Sequence, residues 1–224
     1  MLRGGYTERS ECARNDSIFN MTDYSAKRYG PRLNEMMKDV LMEPDVHGPE
    51  AHYHMVRGGK DLRNITIWES GKVGKEYIKT YGHYHVGAIS ETYWIVYGEG
   101  ITIAQKRMAG SDGEPIDDEI EEIRIVKVKM GDAVYMPRGW AHAAVNIGKT
   151  FFVTADDSPV NFEDVEPSSL PGHADYEPIK KMRGMAYYIV EEHGEPTLVK
   201  NPAYKKVPDA EIEDWRPEFA KKYD

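Results

Sequence analysis

Gly82-His83-Tyr84-His85 and the Glu91 that follows it form one segment, H-x-H-x5-E-x6-G, running from His83 to Gly98. A second segment, G-x5-P-x-G-x2-H-x3-N, runs from Gly131 through Pro137, Gly139 and His142 to Asn146. Residues two apart in an extended chain project to the same face, so His83 and His85 present both imidazoles to one point. Glu91 opens an apolar run and brings a carboxylate, and His142 supplies a third imidazole. Three imidazoles and a carboxylate with no thiolate suit iron, manganese, nickel or zinc, with water positions left open. The glycines and the proline turn the chain at strand ends, so the polar side chains point into the mouth of a small barrel.

The surrounding sequence agrees with a barrel. From Ala51 onward short apolar runs alternate with Gly, Pro and Asp, and predict strands over 51–57, 64–68, 75–80, 91–97, 100–107 and 123–130. Further strands are expected over 132–136, 141–147, 150–155, 185–190 and 196–200. Gly98-Glu99-Gly100 and Glu192-His193-Gly194-Glu195 read as hairpin turns. Asp112 to Glu122 has no apolar periodicity and reads as a solvated acidic loop. His52 and His54 repeat the His-x-His spacing without a glutamate at a suitable offset, and read as ordinary strand histidines.

Ahead of the strands, Leu33, Met36, Met37, Val40 and Leu41 fall at helical spacing behind Pro31, predicting a short helix with one apolar stripe. Residues 1–30 carry no periodicity and read as an arm; 31–206 reads as a single domain and 207–224 as a tail. Trp215 and Phe219 in that tail are apolar groups that docking would bury, across a dimer interface or onto the barrel edge.

Composition bounds the function. The 224 residues carry 29 Lys plus Arg against 38 Asp plus Glu, a formal charge of −9, which argues against sequence-independent nucleic-acid binding. One cysteine, Cys12, excludes an intrachain disulfide and a multi-cysteine zinc site. There is no apolar run of signal-peptide or membrane-spanning length, so the expected location is cytoplasmic, with no membrane partner.

Together the two histidine segments resemble the two motifs of the cupin superfamily. The second matches at every defined position, and in the first the His85–Glu91 gap is one residue longer than usual. The resemblance sharpens with Trp68–Glu76, Thr80–His85, Glu91-Thr92-Tyr93, Trp140–Gly148, Gly172–Tyr176 and Asn201–Lys206. From about Tyr53 to Lys206 the chain resembles the cupin-type glucose-6-phosphate isomerases known mainly from archaea. That resemblance implies an all-β cupin jelly-roll barrel with a short N-terminal helix and peripheral tails. It also implies a homodimeric enzyme that interconverts glucose 6-phosphate and fructose 6-phosphate.

One divalent metal ion per chain is implied, iron first and manganese, nickel or zinc after it, held by His83, His85, Glu91 and His142. Glu91 and Tyr93 are the implied catalytic residues. Thr66, Thr80 and Gly82 are placed near the phosphate, and Tyr53, Tyr93, His173 and Tyr176 along the cavity. The chemistry fits: a metal polarising the carbonyl acidifies the neighbouring C–H, and a carboxylate in reach carries a proton through an enediol. A hydride shift between C1 and C2 is the other route. Phosphate donors are offered by backbone N–H groups near Gly71, Gly74 and Gly82, by Thr66 and Thr80, and by Lys72 and Lys75.

The chain departs from the family at Gly139, at the aspartates Asp156 and Asp157, and at Ala174 between His173 and Asp175. These changes favour a second reading, a cupin oxygenase, decarboxylase or epimerase; a non-catalytic metal- or sugar-binding cupin is the third.

Overall fold

A computed structural model describes residues 29–58, 63–159 and 174–222. In chain order the first strands are β1 Tyr29–Leu33, β2 Ala51–Val56, β3 Asn64–Trp68, β4 Lys72–Val73, β5 Glu76–Tyr77, β6 Tyr84–His85, β7 Glu91–Tyr97 and β8 Glu99–Ala109. There follow β9 Pro115–Lys129, β10 Ala133–Met136, β11 Trp140–Asn146, β12 Phe152–Asp156, β13 Ala174–Asp175, β14 Tyr187–Glu192, β15 Glu195–Lys200 and β16 Glu213–Asp214. Two α-helical turns, α1 Asn34–Met37 and α2 Glu177–Lys181, complete the set with short 3₁₀ segments.

One sheet runs β1-β2-β3-β12-β7-β10 and a second β11-β8-β9-β16. They close on each other as the expected all-β cupin barrel, with their inward residues filling the space between them. Trp68 and Phe152, both buried, pack with ring centroids 5.0 Å apart at the centre of one wall. Ile101, Ile103, Val126, Val128 and Val145 fill the facing wall. A smaller sheet, β15-β14-β5-β4, lies alongside and carries the expected hairpin at Glu192–Glu195. His193 and Gly194 at its tip take φ of 55° and 86°, the left-handed pair that a two-residue turn matched to strand twist requires.

Several expectations change in the folded chain. Pro31 and Leu33 do not open a helix. They belong to β1, antiparallel to β2, and the helix is only α1 continued by a 3₁₀ turn at Lys38–Val40. Proline is tolerated on an edge strand, and β1 is one. Met37, Val40 and Leu41 are nonetheless buried, as the stripe demands.

The acidic segment is not a loop. Residues 115–122 form the first half of β9, paired with β8. Its carboxylates meet cations across the pair, Arg107 with Asp117 at 2.5 Å and Lys106 with Glu121 at 2.9 Å. Register shifts beside Arg107 break the alternation that would have marked it as strand.

Gly98-Glu99-Gly100 is not a hairpin, because β7 and β8 lie in different sheets. Gly98, at φ 79°, carries the chain from one wall to the other, and a Cβ there would meet the Phe151 carbonyl oxygen at 2.5 Å. The expected strand over 75–80 is broken up: only β5 is strand, and residues 78–83 run beside β11 through single bridges.

The C-terminal segment docks on the barrel edge. Glu213 and Asp214 pair in parallel with β9, Trp215 Nε1 donates to the Ala133 carbonyl oxygen at 2.7 Å, and Phe219 is buried. Among the described residues no helix is long and apolar enough to cross a membrane.

Candidate metal centre and substrate cavity

His83 and His142 face each other across an antiparallel pair. The His83 N–H donates to the His142 carbonyl at 3.3 Å, and the His142 N–H returns to His83 at 3.1 Å. Directly opposed residues put their side chains on one face, and His85, two residues on, shares it. The three rings gather with centroids 4.6–5.0 Å apart. One nitrogen from each of the three lies within 4.8 Å of the others.

Glu91 comes from the opposite wall as the first residue of β7, opposite Met136 of β10. Its Oε1 stands 2.5 Å from His142 Nε2 and its Oε2 3.9 Å from His85 Nε2. Both sides of the barrel are therefore needed to assemble the set.

The donors fit a divalent metal. The set is three nitrogens and one carboxylate, nearly all buried, and Glu91 Oε1 and His142 Nε2 converge without a well-formed hydrogen bond. His85 Nδ1 lies 3.2 Å from the Ile89 carbonyl, which assigns the proton to Nδ1 and turns the Nε2 lone pair inward. Ile89 belongs to the lengthened gap between His85 and Glu91, so that gap supplies an orienting partner.

Burial alone would raise the Glu91 carboxyl, but His142, with His85 and His83, outweighs it and holds the group well below the usual carboxylate range. Tyr93 is pushed well up, first by burial and then by Glu91 and Asp156, so its hydroxyl stays protonated and acts as a donor.

His83, half-buried, and the buried Glu91 line a cavity. Tyr53, Thr66, Thr80, Gly82, Tyr93 and Tyr176 all line it. Those six line one space with His83 and Glu91, and His85 and His142 stand behind its wall. His173 lies outside the described residues.

Tyr176 lies tilted against His83 with ring centroids 5.2 Å apart and meets Tyr81 edge-on at 5.5 Å. The Thr80 hydroxyl accepts the Ala144 N–H at 2.9 Å, so much of its hydrogen-bonding capacity goes to fixing residue 80 against β11. Gly82 takes φ 81°, open to glycine without strain, at the turn into His83.

Lys72 and Lys75 are not cavity groups. Lys72 pairs with Glu191 on the side sheet, and Lys75 is exposed. The Gly71–Glu76 segment makes a turn between β4 and β5 and brings neither lysine to the cavity.

Four polar lining residues carried no motif signal: Arg57, Asn64, Asp156 and Ser158. Asp156 Oδ1 accepts from Asn64 Nδ2 at 2.8 Å and from the Ser158 hydroxyl at 2.6 Å. Burial and then the Glu91 charge push its carboxyl up to about 7, against those hydrogen bonds. Asp157 turns away, accepting the Thr92 N–H at 2.7 Å beside Arg63. The added aspartates therefore place less negative charge in the cavity than two free carboxylates would.

Comparison with known proteins decides the family. The model for glucose-6-phosphate isomerase (GPI) matches residues 50–206. The chain belongs to the glucose-6-phosphate isomerase family. Glucose-6-phosphate isomerase of Thermococcus onnurineus (strain NA1) is 34% identical over 173 residues, 77% of this chain and 78% of that one. That of Pyrococcus abyssi (strain GE5 / Orsay) is 36% identical over 141 residues, 62% of each chain. Among solved structures, the Drosophila melanogaster CENP-C cupin domain gives a TM-score of 0.33 at 14% identity, over 53% of this chain and 79% of that one. A likeness that low adds nothing to the fold read from the strand pairing.

Proposed function

We propose that this chain interconverts glucose 6-phosphate and fructose 6-phosphate, as a homodimer in the cytoplasm whose catalytic unit spans residues 31–206. The observation that carries the reading is the meeting of three imidazoles within 4.8 Å, with the Glu91 carboxylate beside them at the floor of a cavity lined by tyrosines and threonines. His83, His85, His142 and Glu91 would hold one divalent ion per chain, with iron first among iron, manganese, nickel and zinc. Bound there, the ion supplies Lewis acidity that polarises the sugar carbonyl and acidifies the neighbouring C–H.

The chain's own residues do the rest. Tyr53 and Tyr176 form walls that exclude water from the reacting carbons. Tyr93, kept protonated, donates a hydrogen bond toward the oxygens whose charge develops during the transfer. Glu91, ionised and buried, is the carboxylate placed to carry a proton between C1 and C2 through an enediol. Its low basicity is the cost of sitting among three imidazoles, and the acidified C–H offsets that cost.

The test is the reaction itself in deuterium oxide. Metal-loaded protein given fructose 6-phosphate should yield glucose 6-phosphate carrying deuterium at C2, read by NMR. Isomerisation without deuterium would transfer the step to a direct hydride shift, and no isomerisation would end the proposal.

A further inference from the structure

We propose that Arg57, backed by Arg32, is the cationic pair that recognises the substrate's phosphate dianion. The inference rests on the isomerase reading and extends it to residues outside both histidine segments. A chain of formal charge −9 attracts no phosphate through its overall field, so the recognition has to be local. Among the described residues that line the cavity, Arg57 is the only permanently charged cation.

The strand geometry explains why it is there. Tyr53, Met55 and Arg57 alternate along β2 and its continuation, and all three side chains face the cavity. Met55 pairs with Thr66 on β3, bringing a hydroxyl to the same wall. Arg32 lies opposite Tyr53 in the β1–β2 register, with its guanidinium 6.0 Å from that ring.

Both arginines are buried, at 3% and 6% exposure, and the field of each reaches the other and Tyr176. Arg32 Nε makes no hydrogen bond among the described residues. Both charges are withdrawn from water, so a dianion entering the cavity meets cationic charge that solvent screens little. Guanidinium groups suit that role because they present paired donors to phosphate oxygens and keep their charge when buried. The same cavity reaches His83 and Glu91, so a phosphate held by Arg57 leaves the sugar carbons to be directed at the metal centre.

The experiment is calorimetric titration of the metal-free protein with inorganic phosphate and with fructose 6-phosphate, paired with steady-state kinetics of the metal-loaded protein. Arg57→Gln should weaken binding of both ligands and raise KM by about 30-fold or more, with kcat changing by less than about threefold. Arg57→Lys should restore part of the loss, as a point charge without the fork. Arg32→Gln should act in the same direction with a smaller effect. Unchanged phosphate binding and KM in folded Arg57→Gln would overturn the proposal, as would wild-type protein that binds no phosphate at millimolar concentration. Should Arg57→Gln fail to fold, Arg57→Lys and Arg32→Gln carry the test, and unchanged KM in both overturns it. Phosphate binding that depends on Arg57 in a protein without isomerase activity would leave the anion site standing and remove only the reaction.

Discussion

In the proposed reaction Glu91 bears two duties that pull against each other. As a ligand it must stay ionised, and the histidines around it ensure that by holding its carboxyl far below the normal range. As a proton carrier it must accept a proton, which the same histidines oppose. Glu91→Gln separates the two. At saturating metal, turnover should fall about 100-fold or more while affinity for fructose 6-phosphate changes only a few-fold. Kinetics and calorimetry read the two quantities, and a parallel loss of both would leave Glu91 as a ligand alone. The residues of the candidate metal centre were legible because their spacing encodes geometry: two histidines two apart, a glutamate opening the next strand, a histidine behind a Pro-x-Gly turn. Arg57 was not legible, since nothing local distinguishes it. Only its shared parity with Tyr53, four residues earlier, could have flagged it.

At the scale of the element, strand parity decides which histidines matter. His52 and His54 have the spacing of His83 and His85, yet they point away from the cavity face occupied by Tyr53, Met55 and Arg57. His52 is fully buried on the other side of β2, with Nε2 2.8 Å from Asn34 Oδ1. Burial, and then the nearby Lys79 charge, lower its pKa to about 4. The folded protein therefore holds His52 neutral while the unfolded chain takes up a proton below about pH 6.5. That contribution to stability is complete above pH 6.5 and is lost as pH falls toward 4, by about 3 kcal/mol in total. Thermal unfolding across that window should show the wild type losing stability faster than His52→Gln, and parallel curves would contradict the assignment. Other elements hid their nature. The acidic half of β9 pairs its carboxylates with cations on β8, a match invisible until the register is known. Gly98-Glu99-Gly100 has the composition of a hairpin, but its glycines serve a crossing between sheets. The Gly98 Cβ position is closed by the Phe151 carbonyl, and that of Gly100 by the Phe152 ring at 2.7 Å. Turn chemistry says that the chain bends and leaves open which strand it meets next.

For the molecule as a whole, two sheets bring together what neither holds alone. The β11 side supplies three imidazoles, β7 supplies the carboxylate, and β2 with β3 supplies the tyrosine, arginine and threonine wall. The C-terminal segment closes the far edge by pairing with β9 and anchoring Trp215. The barrel and its metal end could be read in advance because both depend on short-range pattern. The cavity wall could not, because it depends on strands distant in sequence coming into register. The central claim is that this assembly is a metal-dependent sugar-phosphate isomerase. Its most direct test is to strip the protein with chelator, restore iron, manganese, nickel and zinc separately, and follow fructose 6-phosphate conversion to glucose 6-phosphate. The account predicts no turnover in the stripped protein, recovery with at least one of the four metals, and none in His83→Ala. Metal binding that His83→Ala abolishes, without turnover under any of the four metals, would contradict it.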